Sequence, residues 1–121
     1  MAYFDFMVLP VPTAKLADYK KLVKASAAAW KRCGALAYVE AIADDVKPGK
    51  VTSFPKSVKA KDGEIVACAF LMFNNKAHRN KCWKAMMNDP FIKGFDPKKM
   101  PFDGKRMFFG GFKPLVSFSS T

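Results

Sequence analysis

Histidine, cysteine and acidic residues are scarce in this chain. Its 121 residues include one histidine, His78, and three cysteines without CxxC spacing. A metal site needs several such ligands at close spacing, so we expect neither a metal nor another cofactor. Cys33, Cys68 and Cys82 are predicted to be buried, reduced thiols of a cytoplasmic protein.

Long apolar runs are also missing. No stretch approaches the ~20 apolar residues that span a bilayer. The first twelve residues lack a basic segment and carry Asp5, so they resemble a strand more than a signal peptide. We therefore expect no membrane contact and a cytoplasmic location.

The charge is strongly one-sided, with 21 lysine and arginine residues against 10 aspartate and glutamate residues, a formal net charge of +11. The basic residues are spread along the chain, which indicates solvated helix faces and loops. Such a charge favours weak contact with polyanions. Residues 65–73 lack the aromatic pattern of an RNA-binding sheet. A built nucleic-acid site is therefore not favoured, and polyanion contact stays an alternative.

What the chain does have is apolar content for a core. Half of the residues are hydrophobic and twelve are phenylalanine. A chain of this length can bury roughly two-thirds of its unfolded surface. We expect residues 1–121 to form a single domain.

Hydrophobic periodicity predicts four strands and two long helices. The strands are expected at residues 3–9, 36–43, 65–73 and 106–112, the last reaching toward Val116. One amphipathic helix should run from an N-cap at Thr13 to a C-terminal stop at Gly34. A second should start at a cap on Asn74 or Asn75 and end near Asn88.

This order is strand-helix-strand twice over, joined by a loop too short for a parallel crossover. It predicts an α+β fold of the ferredoxin-like βαββαβ type: a four-stranded antiparallel sheet with two helices on one face. Residues 65–73 contain no charge at odd or even positions, so the uncovered face should be apolar as well. An apolar face of that size marks an interface. We therefore expect a homodimer packed sheet to sheet as a dimeric α/β barrel.

The loop at residues 43–55 concentrates polar groups, and such loops often hold functional residues. Its candidate ligand-binding residues are Asp44, Asp45, Lys47 and Thr52. The alternative for the two aspartates is a turn-forming and surface-paired role. The segment around Lys47 lacks the pattern of a phosphate-binding loop, and Ser53 lacks that of a nucleophile elbow.

Three further candidate ligand-binding residues lie elsewhere. His78 is expected near the start of the second helix, where the helix dipole would favour the neutral imidazole of a general base. It is the candidate catalytic residue, against the alternative of a histidine that makes a structural bond. Arg79 and Arg106 could clamp a carboxylate.

Several motifs resemble the YbaA-like proteins over nearly the whole chain. They are residues 44–55 (DDVKPGKVTSFP), 77–79 (AHR), 100–107 (MPFDGKRM) and 110–112 (GGF), together with residues 8–12 (VLPVP) and segments within residues 30–40. The resemblance implies the dimeric α/β-barrel superfamily. It implies no reaction, because the family is a domain of unknown function.

Two functions follow as hypotheses. The first is a small dimeric protein that binds a small organic ligand in the cleft between sheet and helices. The alternative is a non-catalytic interaction module that contacts RNA or another polyanion through its basic surface. The sequence leaves open whether the protein is an enzyme.

Overall fold

Four strands and two long helices form the framework of the structure, a computed structural model that describes residues 2–120. The strands are β1 (Tyr3–Pro12), β2 (Ala37–Ile42), β3 (Glu64–Phe73) and β4 (Phe108–Phe112). The helices are α1 (Leu16–Cys33), the one-turn α2 (Phe54–Ser57), α3 (Lys76–Met87) and the one-turn α4 (Pro90–Lys93). Three 3-10 turns lie at Thr13–Lys15, Pro97–Lys99 and Gly104–Arg106.

The strands form one antiparallel sheet in the order β2-β3-β1-β4. The central strands β1 and β3 pair over ten residues each, from Tyr3 opposite Phe73 to Pro12 opposite Glu64. The predicted α+β class and four-stranded antiparallel sheet are therefore confirmed.

One face of the sheet holds the core. Leu71 and Phe73 of β3 pack against Trp30 of α1 and against Cys82 and Met86 of α3. A second cluster on the same face joins Leu9, Val11 and Ala67 to Tyr19 of α1. Side chains alternate along a strand, so both long helices cover the face that bears these odd-numbered residues. The helices lie on one face, as predicted.

The opposite face, here called the open face, is apolar and mostly uncovered. Its end near Pro10 and Val66 is buried, where α2 packs against β3. Apart from Pro12 and Glu64 at that same end, its other strand residues are uncharged: Phe4, Phe6, Val8, Ala37, Val39, Ala41, Cys68, Phe70, Met72, Phe108, Gly110 and Phe112. Phe6 is 44% exposed and Phe112 is 56% exposed. The chain therefore exposes an apolar sheet face, as the sequence predicted.

Three predicted boundaries need correction. The first strand continues through Pro10 to Pro12, because β4 pairs only with residues 4–8 of β1 and proline is tolerated where one side of a strand is unpaired. The last strand starts at Phe108, so Arg106 lies in a 3-10 turn. The predicted loop ends in α2, whose first turn is capped by the Ser53 side chain.

The ends of the long helices follow local chemistry. Gly34 ends α1 in the left-handed region at φ +100°, the conformation that glycine adopts without strain. Asn75 caps α3 by accepting the backbone N–H of His78. Thr13 differs from the prediction, because its hydroxyl donates to the Gly63 carbonyl instead of capping α1.

Among residues 2–120, no helix is long and apolar enough to cross a membrane.

Candidate functional site

A cleft of about 170 Å³ lies between the helix-covered face of the sheet and the elements above it. The sheet contributes Met7, Tyr38 and Glu40. The roof is α1 together with α4 and the chain that follows it. The roof residues are Leu22, Val23, Ser26, Trp30, Phe91, Ile92, Phe95 and Met100. The lining is therefore largely apolar, with a few polar groups at the sheet.

The strand register explains why space remains here. Ala69 of the central strand β3 lies directly between Met7 of β1 and Glu40 of β2. Ala69 is itself buried and does not line the cleft, but its single methyl group leaves space between its two longer neighbours, which do. Two residues along the same strand, Leu71 is the next residue on this face, and its larger side chain is fully buried. The cleft thus begins where a large side chain is replaced by a small one.

Glu40 is the charged residue of the cleft, and two phenols hold it. The Tyr19 hydroxyl donates to its Oε2 at 2.8 Å, and the Tyr38 hydroxyl donates to its Oε1 at 2.7 Å. Tyr19 reaches down from α1, whereas Tyr38 is two residues away on β2 itself. The carboxylate is therefore fixed from above and from the side.

Burial dominates the electrostatics of this cluster. Loss of solvent raises the pKa of Glu40, and the hydrogen bonds from Tyr38 and Tyr19 lower it again only in part. Burial, followed by the nearby Glu40 charge, raises the pKa of Tyr19. Burial, followed by the hydrogen bond to Glu40, likewise raises that of Tyr38. Both phenols are therefore firmly protonated donors.

A metal ion has little to bind here. Within residues 2–120, no cluster of three or more histidine, cysteine, aspartate or glutamate side chains is placed to hold one. A single carboxylate that already accepts two hydrogen bonds is a poor start for a metal site.

The predicted loop residues lie elsewhere, around Phe54. Asp44 lines a cleft on one side of Phe54, together with Val66 and Cys68. Thr52 lines a second cleft on the other side, with Phe108. Asp45 and Lys47 are exposed in the loop. The structure thus brings Asp44 and Thr52 toward the edge of the open face.

The loop itself is held by its own backbone. Lys56 Nζ donates to the Gly49 carbonyl at 2.8 Å and to the carbonyl of Lys50. Gly49 has a φ of +63°, and a Cβ there would collide with the Thr52 carbonyl oxygen. These contacts favour an architectural role for residues 47–56.

His78 lies in the first turn of α3, as predicted. Its backbone N–H donates to Asn75 Oδ1 at 2.8 Å, and its Nδ1 accepts the Asn74 backbone N–H at 3.0 Å. The ring meets Phe73 edge-on. An accepting Nδ1 must be unprotonated. The His78 ring therefore accepts a structural hydrogen bond at the start of α3.

Arg79 binds a carboxylate of the chain itself. Its Nε and one terminal nitrogen donate to Asp5, the shorter contact being 2.9 Å. The Trp83 indole N–H donates to the same carboxylate at 2.7 Å, and Asp5 is 0% exposed. Sequence reasoning missed this cluster, because Asp5 and Arg79 lie 74 positions apart.

Arg106 is also occupied. It donates to both oxygens of Glu64 at 2.7 and 2.6 Å and to Asp103 at 2.9 Å. A further bond reaches the Lys59 carbonyl. The Arg106 guanidinium lowers the pKa of Glu64 to about 2. This arginine therefore ties the start of β3 to the turn before β4.

The seven predicted residues do not converge on one point. Asp44 follows Ala43, which bonds Val66 near the start of β3, whereas His78 contacts Phe73 at its end. Those β3 positions are about 23 Å apart at ~3.3 Å per residue. The ligand-binding role of the seven residues stays a prediction.

The cleft residues Glu40, Tyr38 and Tyr19 were missed at the level of sequence. One signal could have found them: Glu40 is a charged residue within the otherwise apolar segment at residues 36–43. A charge in an apolar strand needs a partner or a function.

Comparison with known proteins places the chain in a family. The family model described as "Protein of unknown function (DUF1428)" matches residues 2–104. The chain is 40% identical over 116 residues to "Uncharacterized protein YbaA" of Escherichia coli strain K12, covering 96% of this chain and 98% of that protein. The protein of the same name from Shigella flexneri matches equally.

A solved structure supports the fold. Rv0793 from Mycobacterium tuberculosis aligns with a TM-score of 0.56 at 10% identity, covering 98% of this chain and 100% of that one. At that identity the likeness concerns the fold alone. The family match and the relatives settle the family, and the chain belongs to DUF1428, the YbaA-like proteins of unknown function.

Proposed function

We propose that the protein binds a small organic ligand in the cleft between sheet and helices. The observation that supports this best is an apolar cleft of about 170 Å³ with one fixed carboxylate, Glu40, at its sheet side. Ligand sites are commonly apolar pockets with a few placed polar groups.

The size of the cleft limits the ligand. An apolar cavity of about 150 Å³ is large enough to bind benzene. A molecule of single-ring size therefore fits between Met7 and the roof of α1 and α4. A larger ligand would need α4 and the following chain to move.

The test of this function uses the methionine methyl groups as reporters. Met7 and Met100 line the cleft, whereas Met87 is 49% exposed on α3. In ¹³C-methyl spectra, single-ring fragments should shift the Met7 and Met100 signals and leave Met87 unchanged. Fragments that shift none of the three, or all three alike, would overturn the proposal.

A cavity-filling variant provides the matched control. Ala69→Val adds two methyl groups between the lining residues Met7 and Glu40 and should weaken fragment binding at least tenfold. Ala28→Val makes the same change on the exposed side of α1 and should leave binding unchanged. Equal binding by both variants would place the fragments outside the cleft.

We further propose that the chain has the ferredoxin-like βαββαβ arrangement and forms a homodimer through the open face, as a dimeric α/β barrel. The strand order and the two helices on one face support the arrangement. The apolar character of the open face supports the dimer. At a net charge of +11, two copies repel elsewhere, so this uncharged surface is where they can meet.

The C-terminal segment adds apolar surface that one copy leaves uncovered. Leu115, Val116 and Phe118 are each at least 88% exposed. They follow β4 directly, at the edge of the open face. A second copy packed on that face would lie within reach of them.

Light scattering at micromolar concentration tests the dimer. The wild-type chain should have the mass of two copies, and Phe6→Lys should have the mass of one, because it places a charge in the centre of the interface. Val51→Lys, on an exposed loop residue, should stay dimeric. A monomeric wild type would rule the dimer out.

The alternative is polyanion contact through the basic surface. It is supported by charge alone: the lysines are exposed on α1, α3 and the loops without a single stripe. Polyanion binding should collapse between low and moderate salt. Ligand binding in the cleft should be nearly indifferent to salt, which separates the two functions.

A further inference from the structure

The polar side of the cleft accepts hydrogen bonds more readily than it donates them. A carboxylate offers about four acceptor positions, and the phenols of Tyr19 and Tyr38 use one on each oxygen of Glu40. Two positions therefore remain on a group that lines the cleft. They can be satisfied only by a donor.

The phenol of Tyr38 reinforces this bias. It also lines the cleft, and its proton is committed to Glu40 Oε1 at 2.7 Å. The Ser26 side chain hydrogen-bonds this phenol in turn, so Tyr38 offers the ligand no donor, and the open acceptor positions of the cleft are those of Glu40. Tyr19 is a positioning residue, since its hydroxyl holds Glu40 Oε2 although Tyr19 does not line the cleft.

The apolar part of the cleft determines the chemistry of the rest of the ligand. Its walls are the apolar side chains of α1, α4 and the following chain, including Phe91, Ile92 and Phe95. Such walls favour an uncharged, ring-like body. A ligand carboxylate would face the Glu40 charge in a poorly solvated place, where like charges repel strongly.

We propose that the cleft selects a single-ring molecule with one O–H or N–H donor, that this donor binds the Glu40 carboxylate, and that anionic rings are rejected. This inference rests on the proposed ligand-binding function and assigns its ligand class. A hydrogen bond to a charged acceptor should favour the donor-bearing ring over its donor-free analogue by roughly tenfold or more.

The experiment compares three ring probes on the full chain. They are p-cresol, which has a donor, toluene, which lacks one, and benzoate, which is an anion. Each is titrated while the ¹³C-methyl signals of Met7 and Met100 are followed. The wild-type protein should bind p-cresol at least tenfold more tightly than toluene and should not bind benzoate.

Two variants locate the donor site. Glu40→Gln keeps the shape but removes the charge, so the preference for p-cresol over toluene should fall to a few-fold, and benzoate rejection should weaken. Glu64→Gln makes the same change on β3, where the carboxylate binds Arg106 outside the cleft, and should keep the wild-type preference.

The outcomes separate the two proposals. If p-cresol and toluene bind equally and Glu40→Gln changes neither affinity, the cleft is a ligand site but the donor inference is wrong. If no probe shifts Met7 or Met100, the proposed function fails and the inference fails with it. If Glu64→Gln loses the preference as Glu40→Gln does, the effect is not local to the cleft, and the inference is overturned.

Discussion

Asp5 and Glu40 are two carboxylates on the same sheet face. They differ in their neighbours on β3, in their hydrogen-bond donors and in their burial. Asp5 lies opposite Leu71 on β3, and Glu40 lies opposite Ala69, two residues earlier in that strand. Asp5 receives a guanidinium and an indole N–H. Glu40 receives two neutral phenols and borders an open cleft.

The difference shows that one sheet face holds both a buried ion pair and a carboxylate that lines a cleft. Beside Leu71, a cation and close packing leave Asp5 no exposed surface, so that cluster joins β1 to α3. Beside Ala69, Glu40 accepts hydrogen bonds from two neutral phenols, forms no ion pair within residues 2–120, and retains acceptor capacity toward the cleft. Asp5 is therefore a structural carboxylate, whereas Glu40 is the carboxylate that the proposed ligand would contact.

The matched substitutions Asp5→Asn and Glu40→Gln should separate the two most strongly. Asp5→Asn leaves Arg79 facing an amide, and loss of one partner of a buried ion pair should lower the free energy of unfolding by about 3 kcal/mol. Glu40→Gln removes a charge that burial opposes, but its amide NH2 cannot accept the hydrogen bond of one phenol. The two effects offset, so the change should stay within about 1 kcal/mol. Urea denaturation at pH 7 measures both.

A similar loss in the free energy of unfolding of both variants would contradict this assignment, because it would make Glu40 a structural group like Asp5. The slope of the denaturation curve should be the same in all three proteins, so that the midpoints report stability.

The pH dependence of stability should have opposite signs for Glu40 and Glu64. Burial raises the folded pKa of Glu40 above its unfolded value, so its contribution is fully present at low pH and is lost as pH rises through the folded pKa. Arg106 lowers the folded pKa of Glu64 from 4.5 to about 2. Its contribution is therefore present above pH 4.5 and is lost as pH falls toward 2.

Thermal unfolding at a series of pH values checks these signs against the two glutamine variants. Relative to Glu40→Gln, the wild-type protein should lose stability as pH rises above 4.5. Relative to Glu64→Gln, it should lose stability as pH falls from 4.5 toward 2. Parallel profiles for wild type and either variant would refute the corresponding assignment.

His78→Ala should have the smallest effect. The substitution removes one bond to the Asn74 backbone and an edge contact with Phe73, so stability should fall by about 1 kcal/mol. The cleft does not include His78, and p-cresol affinity should stay unchanged. A large drop in affinity would instead support the sequence prediction that His78 contacts the ligand.

The sheet could be predicted from sequence because its signals are local. The uncharged stretch at residues 65–73 indicated a strand that is apolar on both faces. Gly34 and the pair Asn74 and Asn75 marked helix ends through local capping chemistry. The open face followed from counting helices against strands. None of these inferences required knowing which residues meet across the sheet.

The site could not be predicted because it depends on register. Ala69 makes a cleft only when Met7 and Glu40 flank it on two other strands. Arg79 and Arg106 looked available for a ligand, since their partners Asp5 and Glu64 lie 74 and 42 positions away. Long-range pairing decided which polar residues were already in use.

The most direct test of the account is an experimental structure of the protein with p-cresol. The ring should lie in the cleft beside Met7 and Met100, with its hydroxyl within hydrogen-bond distance of a Glu40 carboxylate oxygen. An empty cleft at saturating p-cresol, or a ring bound with its hydroxyl turned away from Glu40, would contradict it.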